Sequence, residues 1–244
     1  MMIMTNRSPA NWRELQELTA YYFNYSGYDA ITPCKIETVR GNVEVDVYVR
    51  AEKELGENII CECKFWDTPI PQEKIHAFRT VINDSGASLG IIISKVGFQK
   101  GAYSSANNSN IKLLTWEEFL ELLFEKWFKF REKRLLKIVQ PLAVYTDFMD
   151  VPTEEFNEEQ TKQYKNSLTK YAPIYIISCS IKEDSIRKYN EIYNESIASY
   201  EDFFDDIEER AKEAILFYKD FFTDFEIPDD KFNFNMESIS RIIN

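Results

Sequence analysis

The amino-acid sequence predicts a mixed α/β unit over residues 1–115 and an acidic, mainly helical unit over residues 116–244. All seven glycines lie within the first 101 residues, so tight turns are concentrated in the first half of the chain. Residues 1–114 contain 12 basic and 13 acidic side chains, whereas residues 115–244 contain 17 and 28. Because the excess negative charge belongs to the second unit, the net charge of −12 does not argue against nucleic-acid binding by the first unit.

The first unit opens with a helix and continues with strands. Leu15, Leu18 and Tyr22 recur at helical spacing, and Gly27 is suited to end that helix. Alternating valines over residues 43–49 then predict one half-buried strand. The other predicted elements are a strand at 35–39, a turn at Gly56, a strand at 59–66, a helix at 72–84, an apolar strand at 89–94, a short helix at 98–107 and a strand at 111–114.

The second unit is predicted to be helical except for one strand. Apolar stripes predict helices at 116–136, 185–197 and 200–225, and an apolar run predicts a strand at 174–181. Residues 153–165 are polar and could form either a loop or an exposed helix. Residues 126–137 mix basic and aromatic side chains. Such a helix could follow nucleic-acid phosphates, or its charges could pair with acidic neighbours.

Composition excludes several classes of protein. His76 is the only histidine, so this sequence has too few histidines for a zinc cage, an HExxH helix or an HNH-type nuclease site. No run approaches the roughly 18–20 apolar residues that span a bilayer. Four cysteines without CxxC spacing are typical of a reduced, cytoplasmic protein. Metal chemistry would therefore depend on carboxylates, which prefer hard cations such as Mg²⁺ or Mn²⁺.

One predicted strand carries an acid and an amine on the same face. In Cys61-Glu62-Cys63-Lys64, residues two apart project together, so Glu62 and Lys64 share one face. The two cysteines are expected to pack under a helix on the other face. Asp46 lies on the polar face of the preceding strand, where it could approach Glu62.

Two neighbouring carboxylates repel each other unless a cation lies between them. A divalent ion between Asp46 and Glu62 would also activate water, and Lys64 could orient that water or stabilise developing charge. The alternative interpretation of these three residues is a surface ion pair across two strands.

An Asp followed by Glu-x-Lys on the next strand resembles the PD-(D/E)xK nuclease motif, here Asp46 and Glu62-Cys63-Lys64. The surrounding segments resemble the Mrr-like restriction endonucleases over about residues 11–123. These segments are Glu17 followed by Gly27-Tyr28, Gly41 to Val47, the strand ending at Ser94, Gly97 to Ala102, and the strand 111–114 followed by Trp116. The resemblance implies a restriction-endonuclease-like mixed sheet flanked by helices. Val47 and Glu62 depart from the Gly and Gln of many members, which leaves the subfamily and the preferred substrate open.

The resemblance also implies a metal-dependent endonuclease that hydrolyses DNA phosphodiester bonds in restriction or anti-phage defence. Asp46 and Glu62 would bind Mg²⁺ or Mn²⁺, with the Cys63 backbone carbonyl as a third ligand. Lys64 would assist the attacking water. Glu17 matches a helix acid that joins or supports the metal site in some relatives, with Glu14 as the alternative match. In-line attack would leave a 5′-phosphate and a 3′-hydroxyl.

The resemblance also implies that two active sites act together to cut both strands, so a homo-oligomer is expected, and the helical unit could bind a protein partner. The alternative function is a catalytically silent protein that keeps the nuclease fold and docks nucleic acid or a partner protein. A narrower alternative keeps the enzyme and changes the substrate to RNA, branched DNA or DNA ends.

Overall fold

The computed structural model describes residues 2–50 and 58–225 and divides the chain into two compact units. One unit comprises Arg7–Phe130, and the other comprises Met1–Asn6 together with Arg131–Asn244. The predicted boundary at 115/116 coincides with the start of helix α4 (Trp116–Val139), whereas the first compact unit extends into that helix. The turn predicted at Gly56 lies outside the described residues.

The first unit contains a five-stranded mixed sheet. Its strands are β1 (Asp29–Ile31), β4 (Val47–Arg50), β5 (Ile59–Lys64), β6 (Leu89–Ser94) and β7 (Ile111–Thr115), in the order β1-β4-β5-β6-β7. β4 pairs antiparallel with β1 and β5, whereas β5, β6 and β7 run parallel. β6 is buried almost throughout, as its continuous apolar sequence predicts for a strand covered on both faces.

A separate two-stranded ladder precedes this sheet. It pairs β2 (Cys34–Thr38) with β3 (Gly41–Val45), which confirms the strand predicted at 35–39. The single strand predicted over residues 43–49 is wrong, because the chain bends at Asp46 and then enters the large sheet as β4. The bend separates two strands that each alternate buried and exposed residues, so the alternation in the sequence does not reveal it.

Helices cover both faces of the large sheet, which confirms the predicted fold class. α1 (Trp12–Asn24) packs against β1, β4 and β5. α2 (Gln72–Ser85) and α3 (Lys100–Ala106) belong to a core on the other face. That core includes Ile60 and Ile92 from the sheet, Ile75, Phe78 and Ile82 from α2, and Ile36 and Val45 from the β2–β3 ladder. Asp46, just before β4, and the C-terminal end of β5 lie at the same end of this antiparallel pair.

The second unit is mainly helical in its described residues. It contains α5 (Leu142–Tyr145), a 3₁₀ turn (Thr153–Glu155), α6 (Glu158–Ser178), α7 (Glu183–Tyr193) and α8 (Tyr200–Phe221). The strand predicted at 174–181 is wrong, because most of that run forms the end of α6, with Ile174 and Ile177 buried and Ile176 exposed. A short apolar run does not distinguish a buried strand from a buried helix segment. None of the described helices is long and apolar enough to cross a membrane.

Buried charges account for the arginines in the basic stretch of α4. Arg131 is fully buried, and its guanidinium lies 2.7 Å from Asp205 Oδ1 and 3.2 Å from Glu208 Oε1. Arg134 also contacts Glu208, at 3.3 Å. These contacts support charge pairing with acidic neighbours over contact with nucleic-acid phosphates for both arginines.

Candidate active site

The bend at Asp46 directs this carboxylate toward β5. Val47 is opposite Cys61 in the β4–β5 ladder, so the antiparallel register brings Asp46 level with Glu62. Asp46 Oδ2 accepts a hydrogen bond from the backbone N–H of Cys63 at 2.7 Å. The Thr32 hydroxyl donates to the Asp46 carbonyl, also at 2.7 Å. Hydrogen bonds to both its main chain and its side chain therefore hold Asp46 in place.

Glu62 and Lys64 lie on the same face of β5, as the sequence predicts. The Lys64 ammonium forms an ion pair with Glu62 Oε1. The Glu62 side chain is 28% exposed and that of Lys64 is 21% exposed, so both remain within reach of a ligand in solvent. The structure thus brings Asp46, Glu62 and Lys64 to one end of the β4–β5 pair.

Asp46 and Glu62 are neighbouring acids, and the negative charge of Asp46 disfavours ionisation of Glu62. Burial raises the pKa of Glu62 above its ordinary value, and the negative charge of Asp46 raises it further. The positive charges of Lys64 and Lys74 lower the pKa of Glu62, but the net direction is upward. A divalent cation between the two carboxylates would relieve this repulsion. The sequence prediction did not include Lys74, which lies on α2.

The helix residue in contact with Asp46 is Gln16, not the predicted Glu17. The Gln16 side-chain amide donates to Asp46 Oδ1, and Gln16 is buried, whereas Glu17 is exposed on α1. Glu14, the alternative match, accepts from the Ala10 backbone N–H at 2.7 Å near the start of the helix. A catalytic part for Glu17 stays a prediction. The sequence prediction missed Gln16; the signal that could have identified it is a polar residue between Leu15 and Thr19 on the buried side of the helix.

The two cysteines of the motif pack on the α1 side of the sheet, as predicted. Cys61 and Cys63 are both buried, and Cys63 Sγ lies 3.7 Å from the Thr19 hydroxyl. Burial raises the pKa of both thiols, which keeps them protonated. The contribution of Cys63 to the site is therefore its backbone. Its N–H is directed at Asp46, and we expect its carbonyl to face the same side of the strand.

The donor set suits a hard divalent cation. Within residues 2–50 and 58–225, no three His, Cys, Asp or Glu side chains cluster in a metal-binding arrangement. The protein ligands would therefore be the carboxylates of Asp46 and Glu62 with the Cys63 carbonyl, and water would complete the shell. Mg²⁺ is commonly held by one or two carboxylates and keeps several waters. The residues present fit such an ion.

The single histidine lies on the exposed side of α2, as expected for an ordinary surface residue. His76 Nε2 is 3.1 Å from the Ser105 hydroxyl and 3.3 Å from the side-chain nitrogen of Gln72. Gln72 is the first residue of α2. These contacts join α2 to α3.

The first unit therefore has a mixed sheet with an anchored Asp just before one strand and Glu-x-Lys on the next, which is the fold and motif arrangement of the PD-(D/E)xK nuclease class. Residues 8–123 match the family model of the Mrr catalytic domain, which is described as a restriction endonuclease. The domain formed by these residues belongs to the Mrr-like restriction endonuclease family.

Two solved structures are similar to the chain at low identity. One is AF1548, a protein of unknown function, with 18% identity and a TM-score of 0.41 over 86% of this chain and 100% of that chain. The other is AspBHI, a DNA modification-dependent restriction endonuclease, with 12% identity and a TM-score of 0.25 over 50% of this chain and 39% of that chain. No curated protein matches the chain. The family match therefore stands on residues 8–123 alone.

Proposed function

We propose that this protein is a divalent-metal-dependent endonuclease that hydrolyses phosphodiester bonds of DNA. The observation that carries the proposal is the contact between the Cys63 amide and Asp46, which fixes one carboxylate level with the Glu62–Lys64 pair. The family match at residues 8–123 supports nuclease chemistry at this cluster. The two metal-binding side chains in this proposal are Asp46 and Glu62, with the Cys63 carbonyl as the third ligand.

Each side chain has a separate part in the proposed reaction. A bound divalent cation supplies Lewis acidity and a water of lowered pKa. Asp46 is oriented by donors to both of its oxygens, from Cys63 and Gln16, and the remaining lone pairs can face the ion. Glu62 would release Lys64 and bind the cation instead. The released Lys64 ammonium would then orient the attacking water or stabilise charge on the phosphoryl oxygens.

The family match at residues 8–123 supports a proposal for the cellular role. Restriction or anti-phage defence in the cytoplasm is the role that we propose for a nuclease of this kind. Cutting both strands needs two active sites, so we expect a homo-oligomer. The acidic helical unit would provide the assembly contact or bind a protein partner.

A plasmid-cleavage assay with Mg²⁺, with Mn²⁺ or with EDTA tests the proposal. We expect metal-dependent cleavage by the wild type and its loss in Asp46→Ala and Lys64→Ala. Matched controls are Asp29→Ala on β1, where the acid pairs with Arg50 in an exposed position, and Lys129→Ala on α4, which pairs with Glu125. Both controls should cleave like the wild type.

The same assay covers the alternatives. Cleavage of RNA, branched DNA or DNA ends in place of plasmid would keep the site and change the substrate. Absence of cleavage on plasmid, linear, single-stranded and branched DNA and on RNA would contradict the proposal and favour a silent docking protein.

A further inference from the structure

An exposed indole stands beside the proposed metal site. Trp66 follows Lys64 by two residues, just after the end of β5, and is 37% exposed. The Lys64 ammonium lies 5.7 Å from the centroid of the indole, and the Lys74 ammonium lies 5.8 Å from it. Lys74 comes from the first turn of α2, so two elements bring amines to the same ring.

Trp66 differs from the tryptophans that stabilise the fold. Trp116 and Trp127 are 5% and 0% exposed, so their indoles are buried in the protein interior. Trp12 is also exposed, with Arg13 at 5.8 Å from its ring, but it lies at the start of α1. Trp66 is thus an exposed aromatic surface within two residues of a proposed catalytic lysine.

An aromatic face flanked by ammonium groups has the chemistry of a nucleotide-binding surface. Bases stack on aromatic side chains, and the adjoining phosphates pair with lysines. Within a duplex each base face is covered by its neighbours, so an indole at the site can stack only on a base that is unpaired or displaced. Lysine side chains are flexible, and a base that takes their place over the ring would leave both amines beside its phosphates.

We propose that Trp66 stacks on an unpaired base next to the scissile phosphate and that Lys74 binds a neighbouring phosphate. This inference rests on the proposed function and narrows its preferred substrate to DNA with an unpaired or displaced nucleotide at the point of cleavage. Single strands, gaps and flaps already have this feature, whereas a continuous duplex such as a plasmid must first displace the base at the cost of unstacking and unpairing it.

Binding measured in EDTA separates this inference from catalysis. The probes are fluorescently labelled single-stranded, gapped and fully paired oligonucleotides of the same sequence, and the readout is anisotropy. We expect the wild type to bind the single-stranded and gapped probes about 10-fold more tightly than the duplex, as one base–aromatic stack allows. Trp66→Leu should remove most of this preference, while Trp66→Phe should keep it.

The part of Lys74 is tested by the salt dependence of DNA affinity, which a purely structural role would not change. Lys74→Ala should reduce the slope of log affinity against log salt by about 0.7, the value for one phosphate contact on a single strand. The controls are Trp12→Leu, an exposed indole outside the site, and Lys129→Ala. Thermal melting should be unchanged in all four alanine and leucine variants, because Trp66 and Lys74 are both exposed.

Several results would overturn the inference. They are equal wild-type affinity for the paired and unpaired probes, an unchanged preference in Trp66→Leu, and an unchanged salt slope in Lys74→Ala. Trp66-dependent binding of unpaired DNA without metal-dependent cleavage would support the nucleotide-binding surface and contradict the endonuclease assignment.

Discussion

Asp46 and Cys63 are joined across two antiparallel strands by a hydrogen bond of 2.7 Å from the Cys63 backbone N–H to Asp46 Oδ2. This hydrogen bond forms because the chain bends at Asp46, just before the first residue of β4, so the carboxylate is directed toward β5. The middle residue of Glu-x-Lys thereby holds the acid of the preceding strand in place, while Glu62 and Lys64 on either side of it project from one face of β5.

Asp46→Asn tests whether this carboxylate binds the cation. The amide keeps the shape of the side chain but removes the charge, so metal affinity and cleavage should both fall, with the cleavage rate reduced about 100-fold or more. A thermal-shift titration with Mg²⁺ measures the first effect, and the initial cleavage rate measures the second. Asp29→Asn, in an exposed ion pair on β1, is the matched control. Wild-type Mg²⁺ stabilisation in Asp46→Asn would remove Asp46 from the metal site.

Gln16 and Glu17 can be compared directly because they are neighbours on α1. Gln16→Ala removes a donor to Asp46, and loss of such an outer hydrogen bond typically costs about 10-fold or more in metal affinity or activity. Glu17→Ala changes an exposed residue and should leave cleavage within about 2-fold of the wild type. Metal titrations of the cleavage rate would show the difference. A large loss of cleavage in Glu17→Ala, with little change in Gln16→Ala, would support the catalytic part predicted for Glu17 from the sequence.

Glu62→Gln should stabilise the metal-free protein at neutral pH. The pKa of Glu62 is raised in the folded state by burial and by Asp46, so ionisation of this group costs stability as pH rises above its ordinary value of 4.5. The melting temperature of Glu62→Gln in EDTA should exceed that of the wild type at pH 7. The gap should close as pH falls to about 4, because Glu62 is then protonated in both states.

Glu73→Gln is the control for this pH series, since Glu73 is an exposed acid in the first turn of α2. Its melting temperature should follow the wild type across the same range. A Glu62→Gln variant that is less stable than the wild type in EDTA at pH 7 would show that the ion pair with Lys64 outweighs the burial of the carboxylate.

Gly90 tests the packing of α2 on β6. A Cβ at this position would lie 2.7 Å from Phe78 Cε1 and 2.9 Å from Ile82 Cδ1, both buried in the core. Gly90→Ala should therefore reduce the free energy of unfolding by about 1–3 kcal/mol. Gly86→Asn is the comparison variant, because Gly86 has φ +69 with open space around it. An added side chain there meets backbone strain but no steric overlap, and Asn adopts this conformation more readily than most residues. Urea denaturation of both variants measures the difference.

Arg131 tests the helical unit. Arg131→Ala removes a fully buried guanidinium and leaves Glu208 without one of its partners, so the free energy of unfolding should fall by about 3–5 kcal/mol. Lys129 lies two residues before Arg131 on the same helix and forms an exposed pair with Glu125. Lys129→Ala should therefore cost no more than about 1 kcal/mol. Similar denaturation midpoints for the two variants would contradict a stabilising role for the buried charges.

Local patterns in the sequence were sufficient for much of the first unit. Continuous apolar residues indicated β6, the spacing of Ile75, Phe78 and Ile82 indicated α2, and the period of two placed Glu62 and Lys64 on one face. These features depend on residues close together in the chain, which the sequence displays directly. The order and spacing of the motif residues and their surrounding segments also indicated the nuclease family, and the match of residues 8–123 to the family model confirmed it.

Tertiary structure alone decided which partners these residues meet. Gln16 contacts the Asp46 carboxylate from 30 residues away in the sequence. Lys74 approaches Trp66 from a different element, and the bend at Asp46 is set by the two separate sheets that its flanking strands join. The run at 174–181 likewise became part of α6 because its apolar side is buried within a helical unit. Periodicity reports the face on which a residue lies, whereas packing between elements determines what stands opposite that face.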